Sequence, residues 1–185
     1  MAMSVDRVAA ELTSIGIETI KTPDARGFLE DVRIHEGRIL YRPGARVSNI
    51  LHEAGHLACI PPMFRKQASD DLDDIAMAMC DYAEARMAHT HDPEEPLLRA
   101  IMQCSDTEAT AWAWAFGRHL GLDPEEIIED QDYDGAGADV RLQVSTGMHL
   151  GIHGLRAAGM IGSVRDWPRL SKWLQDAEEE ETNAS

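Results

Sequence analysis

The chain has 185 residues, enough for one domain with a substantial core and too short to suggest two. Its 33 acidic against 17 basic residues give a formal net charge of −16, which would repel a phosphate backbone and argues against direct nucleic-acid binding. No stretch approaches the ~18 consecutive apolar residues of a membrane span, and the opening residues lack the basic and apolar regions of a secretory signal, so a soluble cytoplasmic protein is expected.

In chain order, Val5, Val8, Ala9 and Leu12 fall on one face of a helix predicted from Ser4 to Ser14 and ending near Gly16. Ile17 to Lys21 reads as an edge strand stopped at Thr22-Pro23. Val32-Arg33-Ile34 and Arg38-Ile39-Leu40-Tyr41 flank His35-Glu36-Gly37, the pattern of a β-hairpin with glycine at its turn. Ser48 or Asn49 is placed to cap a helix that runs to Ala58, before Pro61-Pro62 forbids its continuation.

That helix carries His52-Glu53-Ala54-Gly55-His56, the H-E-x-x-H arrangement of hydrolytic zinc sites. Side chains four apart lie about 40° apart around a helix, so the two imidazoles face one point, while Glu53 leans about 100° away from His52. Glu53 is therefore placed to act as general base on water rather than as a ligand. A catalytic zinc needs a third protein ligand. No further histidine follows His56 at the spacing that would supply one, which leaves a carboxylate on another helix, with Glu108 the best candidate and Glu84 or Asp81 behind it. A competing role for Glu108 is written in Ser105-Asp106-Thr107-Glu108, a capping box in which Glu108 would fold back on the Ser105 amide.

Further helices are expected from Asp70 to Met87, from Pro96 to Met102, from Ser105 to His119, after Asp123-Pro124, from Val140 to Ala158, and after Trp167-Pro168-Arg169, the last holding Leu170, Trp173 and Leu174. His89 to Pro93 and the Asp- and Gly-rich stretch from Asp130 to Ala138 read as loops, the second of them mobile. Residues 1–177 are taken as one domain and 178–185 as an acidic tail. Trp112 and Trp114 point to opposite sides of their helix. Cys59, Cys80 and Cys104, without C-x-x-C spacing, read as buried free thiols. His149 and His153 are a second i, i+4 pair but lack the intervening glutamate. They read foremost as polar helix residues, with a minor metal site or an oxyanion donor as alternatives.

The pattern Glu108-x-x-Ala111-x-x-Trp114-Ala115, downstream of a hairpin and an H-E-x-x-H helix, resembles the ImmA/IrrE family of zinc peptidases over roughly residues 28–116. The resemblance implies a zincin-like α+β fold, mostly helical, with a small antiparallel sheet before the motif helix and a helical bundle packed on it. It further implies zinc held by His52, His56 and Glu108, with Glu53 as base, and limited cleavage of a protein or peptide partner such as a regulatory repressor. The alternative is a non-catalytic protein that uses the same metal site for stability or partner binding.

Overall fold

A computed structural model describes residues 4–27, 29–70 and 72–178. It opens with α1 (Val5–Ser14), capped by the Ser4 hydroxyl accepting from the Arg7 amide. Three strands follow: β1 (Thr19–Lys21), β2 (Val32–His35) and β3 (Arg38–Tyr41). The motif helix is α2 (Val47–Cys59), after which come the short α3 (Pro62–Arg65), α4 (Asp73–Thr90) and α5 (Pro96–Ile101). The second half holds α6 (Asp106–His119), α7 (Pro124–Ile127), the single turn α8 (Asp132–Gly135), α9 (Gly137–Thr146) and α10 (Leu150–Ala157), then a 3-10 turn over Val164–Asp166. The fold class is α+β and mostly helical, as expected. No helix among the described residues is long and apolar enough to cross a membrane.

The sheet is mixed rather than antiparallel. Its order is β1-β3-β2: β2 and β3 form the expected hairpin, with Ile34 opposite Ile39, but β1 runs parallel to β3 along its other edge. The Lys21 ammonium and the Tyr41 hydroxyl both bond the Asp6 carboxylate, which ties β1 and β3 to α1. The alternating burial of Val32, Ile34, Ile39 and Tyr41 turns one face of the hairpin inward, where α2 lies.

Helix α6 is the axle of the molecule. Every residue from Glu108 to Gly117 is buried, so both Trp112 and Trp114 belong to the core although they lie on opposite sides of the helix. Trp112 stacks on Phe116, and Trp173 meets Phe116 edge-on at 5.0 Å while accepting the Trp112 indole N–H through its carbonyl at 2.8 Å. These contacts explain why the closing segment is not the helix predicted after Trp167. Its backbone is bonded outward instead, with the Gln175 amide on the Ala58 carbonyl at 2.8 Å and the Gln175 carbonyl accepting from Arg65 at 2.6 Å. Arg65 also donates to the Leu57 and Ile60 carbonyls, placing a cation at the C-terminal end of α2.

Four other expectations are corrected. Helix α4 extends through His89 and Thr90 and ends at His91 in the left-handed region (φ 54°). The stretch expected as one helix from 140 to 158 is two, because Gly147 (φ 77°) closes α9 with Met148 N–H on the Gln143 carbonyl. The Asp130–Ala138 segment is built into α8 and the start of α9 and is anchored: Asp132 accepts from Arg46 and from the Glu129 amide, and Arg141 pairs with Asp130. Of the thiols, Cys59 is buried, Cys104 half-buried and Cys80 exposed. The acidic run 178–181 is described only at residue 178; its remaining residues, the end of the tail and Asp71 lie outside the described residues.

Helices α2 and α6 cross in direct backbone contact. A Cβ on Gly55 would stand 2.3 Å from the Ala109 carbonyl oxygen and 2.8 Å from its Cα, neither of which can move aside like a flexible side chain. Gly55→Ala is expected to lower unfolding stability by about 1–3 kcal/mol through overpacking, read as a fall in the denaturant midpoint with an unchanged slope.

Candidate metal centre

Helix α2 presents His52 and His56 on one face, as the spacing requires. Their Nε2 atoms are 3.2 Å apart and the rings meet edge-on, with centroids 4.8 Å apart. The carboxylate that joins them belongs to Asp106. Its Oδ1 lies 3.4 Å from His52 Nε2 and 3.1 Å from His56 Nε2. These three groups are the one set of at least three His, Cys, Asp or Glu side chains among the described residues whose ligand atoms converge, all within 4.8 Å of one another. The facing imidazoles of His52 and then His56, against the opposing effect of burial, hold the Asp106 carboxyl well below the usual carboxylate range.

Glu108, the expected third ligand, is engaged elsewhere. Its Oε2 accepts from the Ser105 amide at 3.1 Å, the Ser105 hydroxyl at 2.6 Å and the Thr107 hydroxyl at 3.1 Å, which completes the capping box of α6. The other side of the carboxylate is walled by α10, where a Cβ on Gly154 would fall 1.8 Å from Oε1. Asp106 and Glu108 are two residues apart and so point about 200° apart around the helix. Once Glu108 turns back to cap, Asp106 is the acid that faces α2. The signal for this was the Ser105–Glu108 box itself, which reserves the N3 glutamate for the helix terminus and leaves the N1 aspartate free.

Glu53 is buried, and that burial raises its carboxyl pKa, with His56 and His52 opposing. It lines, with both imidazoles and Asp106, a cleft of about 900 Å³ whose far wall is apolar, formed by Leu72, Ile75 and Met79 among others. A second cleft of about 480 Å³ meets the first at His52 and Asp106 and is bounded by Arg46, Asp132 and Tyr133. The site thus borders two clefts and has a buried carboxylate beside the converging ligand atoms.

Tyr133 is the residue that sequence reasoning missed most completely, because it sits in a stretch that reads as a loop. Its hydroxyl is 3.4 Å from His52 Nδ1 and 2.7 Å from Thr110 Oγ1. Burial lifts the phenol to about 12, so it stays a neutral hydroxyl near neutral pH.

The second histidine pair does not form. His149 is the N-cap of α10, buried, with its Nδ1 accepting from the Gly151 amide at 3.3 Å, whereas His153 is exposed on the helix beyond. Burial lowers the His149 pKa, with Glu108 opposing. Comparison with protein-family models, with curated proteins and with solved structures found no match to this chain.

The geometry separates the two acids of α6 by experiment. Asp106→Ala and His56→Ala should each weaken zinc binding at least about 100-fold in a chelator competition, since a site of two protein ligands holds zinc poorly. Glu108→Ala should retain zinc while losing about 1–3 kcal/mol of stability from the broken cap. Zinc lost in Glu108→Ala but kept in Asp106→Ala would reverse this assignment.

Proposed function

We propose that the chain is a zinc-dependent peptidase of zincin-like design that makes limited cleavages in a protein or peptide partner. The reading departs from the ligand set that the ImmA/IrrE resemblance implies by taking Asp106 in place of Glu108. The observation that carries it is the convergence of two imidazole nitrogens and one carboxylate oxygen beside a buried glutamate at the floor of an open cleft.

The donor set fits a zinc ion. Two neutral imidazoles can each turn a ring lone pair toward the carboxylate oxygen, and lone pairs facing in this way repel one another unless a proton or a cation lies among them. Two histidines and one acid with an open side match the three protein ligands and vacant position of hydrolytic zinc sites. When bound, such an ion supplies Lewis acidity, making water more acidic and a peptide carbonyl more electrophilic.

The chain's own residues supply the remainder. Glu53 stands one position after His52, which turns its carboxylate toward the cleft beside the ligands rather than among them. Burial makes that carboxylate a stronger base than an exposed one. It accepts a proton from the attacking water and returns it to the departing amine. The apolar wall of Leu72, Ile75 and Met79 offers a seat for a hydrophobic side chain of the substrate and excludes water from that side of the reacting bond. Arg33, whose guanidinium pairs with Asp70 at 2.8 Å, borders the other end of the same cleft.

Glu53→Gln keeps the size of the side chain but removes the base. It should bind zinc as wild type does and lose cleavage of peptide substrates by about 100-fold or more. A Glu53→Gln variant as active as wild type would remove the base assignment. Zinc binding with no turnover of any peptide by wild type would favour the non-catalytic, metal-stabilised alternative.

A further inference from the structure

We propose that Tyr133 and Thr110 form a positioning relay that fixes His52 in the tautomer protonated on Nδ1, leaving Nε2 as the free donor atom facing His56 and Asp106. The relay follows from counting hydroxyl protons. Thr110 Oγ1 lies 2.7 Å from the Asp106 backbone carbonyl, which can only accept, so the single Thr110 proton is committed there. The 2.7 Å contact between Thr110 Oγ1 and Tyr133 OH must then be donated by tyrosine. With its own proton spent, the tyrosine oxygen can only accept at His52 Nδ1, 3.4 Å away; Asp106 Oδ1 takes its proton from the nearer His56 Nε2 at 3.1 Å, which leaves the His52 proton on Nδ1.

The path closes on the site itself. It starts at one ligand, His52, and ends on the main chain of another, Asp106, so it joins α2 to the first turn of α6 through groups that never face the larger cleft. Thr110 is 2% exposed, which isolates its hydroxyl from competing water. Tyr133 borders the smaller cleft, whereas Glu53 borders the larger, and the phenol meets His52 on its Nδ1 side, opposite the Nε2 that faces His56 and Asp106. It is accordingly a positioning residue and not a catalytic one.

The backbone beneath the phenol is held in an unusual state. Tyr133 and Asp134 are consecutive non-glycine residues in the left-handed region, at φ 57° and ψ 45°, and φ 57° and ψ 32°. L-residues avoid this region, and a stretch that adopts it twice in succession has to be held there by its surroundings. The fastening is visible. Asp132 takes Arg46 at 2.7 Å and the Glu129 amide at 2.8 Å, Asp132 N–H returns to the Glu129 carbonyl at 3.1 Å, and Gly137 approaches that carbonyl so closely that a Cβ would stand 1.8 Å from it.

The tautomer is a property of the metal-free chain, while its effect on affinity rests on the zinc reading above. Nitrogen-15 imidazole spectra of the metal-free protein at mildly alkaline pH should show His52 protonated on Nδ1. Thr110→Val keeps the side-chain shape but releases the tyrosine proton, which can then be donated to Nδ1, so His52 should shift toward the Nε2-protonated form. Tyr133→Phe should give a mixture of the two forms. Both variants should bind zinc about 10–100-fold more weakly than wild type, the usual consequence of losing the partner that orients a histidine ligand. A wild-type His52 protonated on Nε2, or a tautomer unchanged in both variants, overturns the relay; the wild-type measurement decides even if a variant fails to fold. A wild type in the Nδ1-protonated form that binds no zinc supports the relay and instead removes the metal reading.

Discussion

The close crossing of α2 and α6 at Gly55 and Ala109 is the constraint on which the site depends. Backbones that nearly touch leave no room for a side chain between them, so Asp106 in the first turn of α6 comes within 3.4 Å of two histidines just over one turn of helix apart. A wider crossing would carry Asp106 away from both rings. The same demand explains the composition of α6. Ala109, Ala111, Ala113 and Ala115 admit neighbours closely, while Trp112, Trp114 and Phe116 fill the volume further along. Gly151 and Gly154 repeat the device on the other flank, where α10 approaches Thr107 and Glu108 so closely that a Cβ on either glycine would collide.

Two acids in one helical turn divide two tasks. Glu108 satisfies the start of α6, and because its Oε2 is held by Ser105 and Thr107 it fixes where that turn begins. Asp106, with an 80% exposed side chain, faces the histidines from the first helical position, where the positive end of the helix dipole favours its negative charge. A single carboxylate could not do both, since capping turns it back along the helix and ligation turns it across to α2.

How much of this was legible in the sequence follows from the range of the interactions involved. The hairpin, α1 and the first turn of α6 depend on alternation and on capping residues within a few positions, and these were readable, as was the stop of α2 before Pro61-Pro62. Its start was not, because Arg46 rather than Ser48 or Asn49 stands at the N-cap, while Ser48 and Asn49 lie inside the helix and bond Glu129 and the Glu30 carbonyl. The shared face of His52 and His56 and the leaning of Glu53 were readable too, because helix geometry alone sets them. The choice between Asp106 and Glu108 was written locally as well, in Ser105-Asp106-Thr107-Glu108, but the capping box competed with a longer-range pattern that favoured Glu108. What could not be read depends on distant partners. The parallel placement of β1 is fixed by its pairing with β3, the non-helical course of residues 170–177 by bonds to α2 and α6, and the position of Tyr133 by an ion pair between Arg46 and Asp132 that spans much of the chain.

The Arg46 pair also accounts for how an Asp- and Gly-rich stretch becomes a fixed wall. Such a composition lowers the barrier to left-handed backbone without choosing any one conformation. Arg46 stands immediately before α2, so its guanidinium moves with the helix that carries the histidines, and by holding Asp132 it registers α8 to that helix rather than to the bulk of the protein. Tyr133 follows Asp132 directly. The ion pair therefore sets the tyrosine hydroxyl relative to His52 through the one helix they share, and a small displacement of α2 would carry the ligand and its partner together. The candidate metal centre is in this way built from two local pieces, the motif helix with the segment tied to its N-terminus and the capped start of α6. Thr110 joins the two by its contact with the Tyr133 hydroxyl, beside the contacts that His52 and His56 make with Asp106.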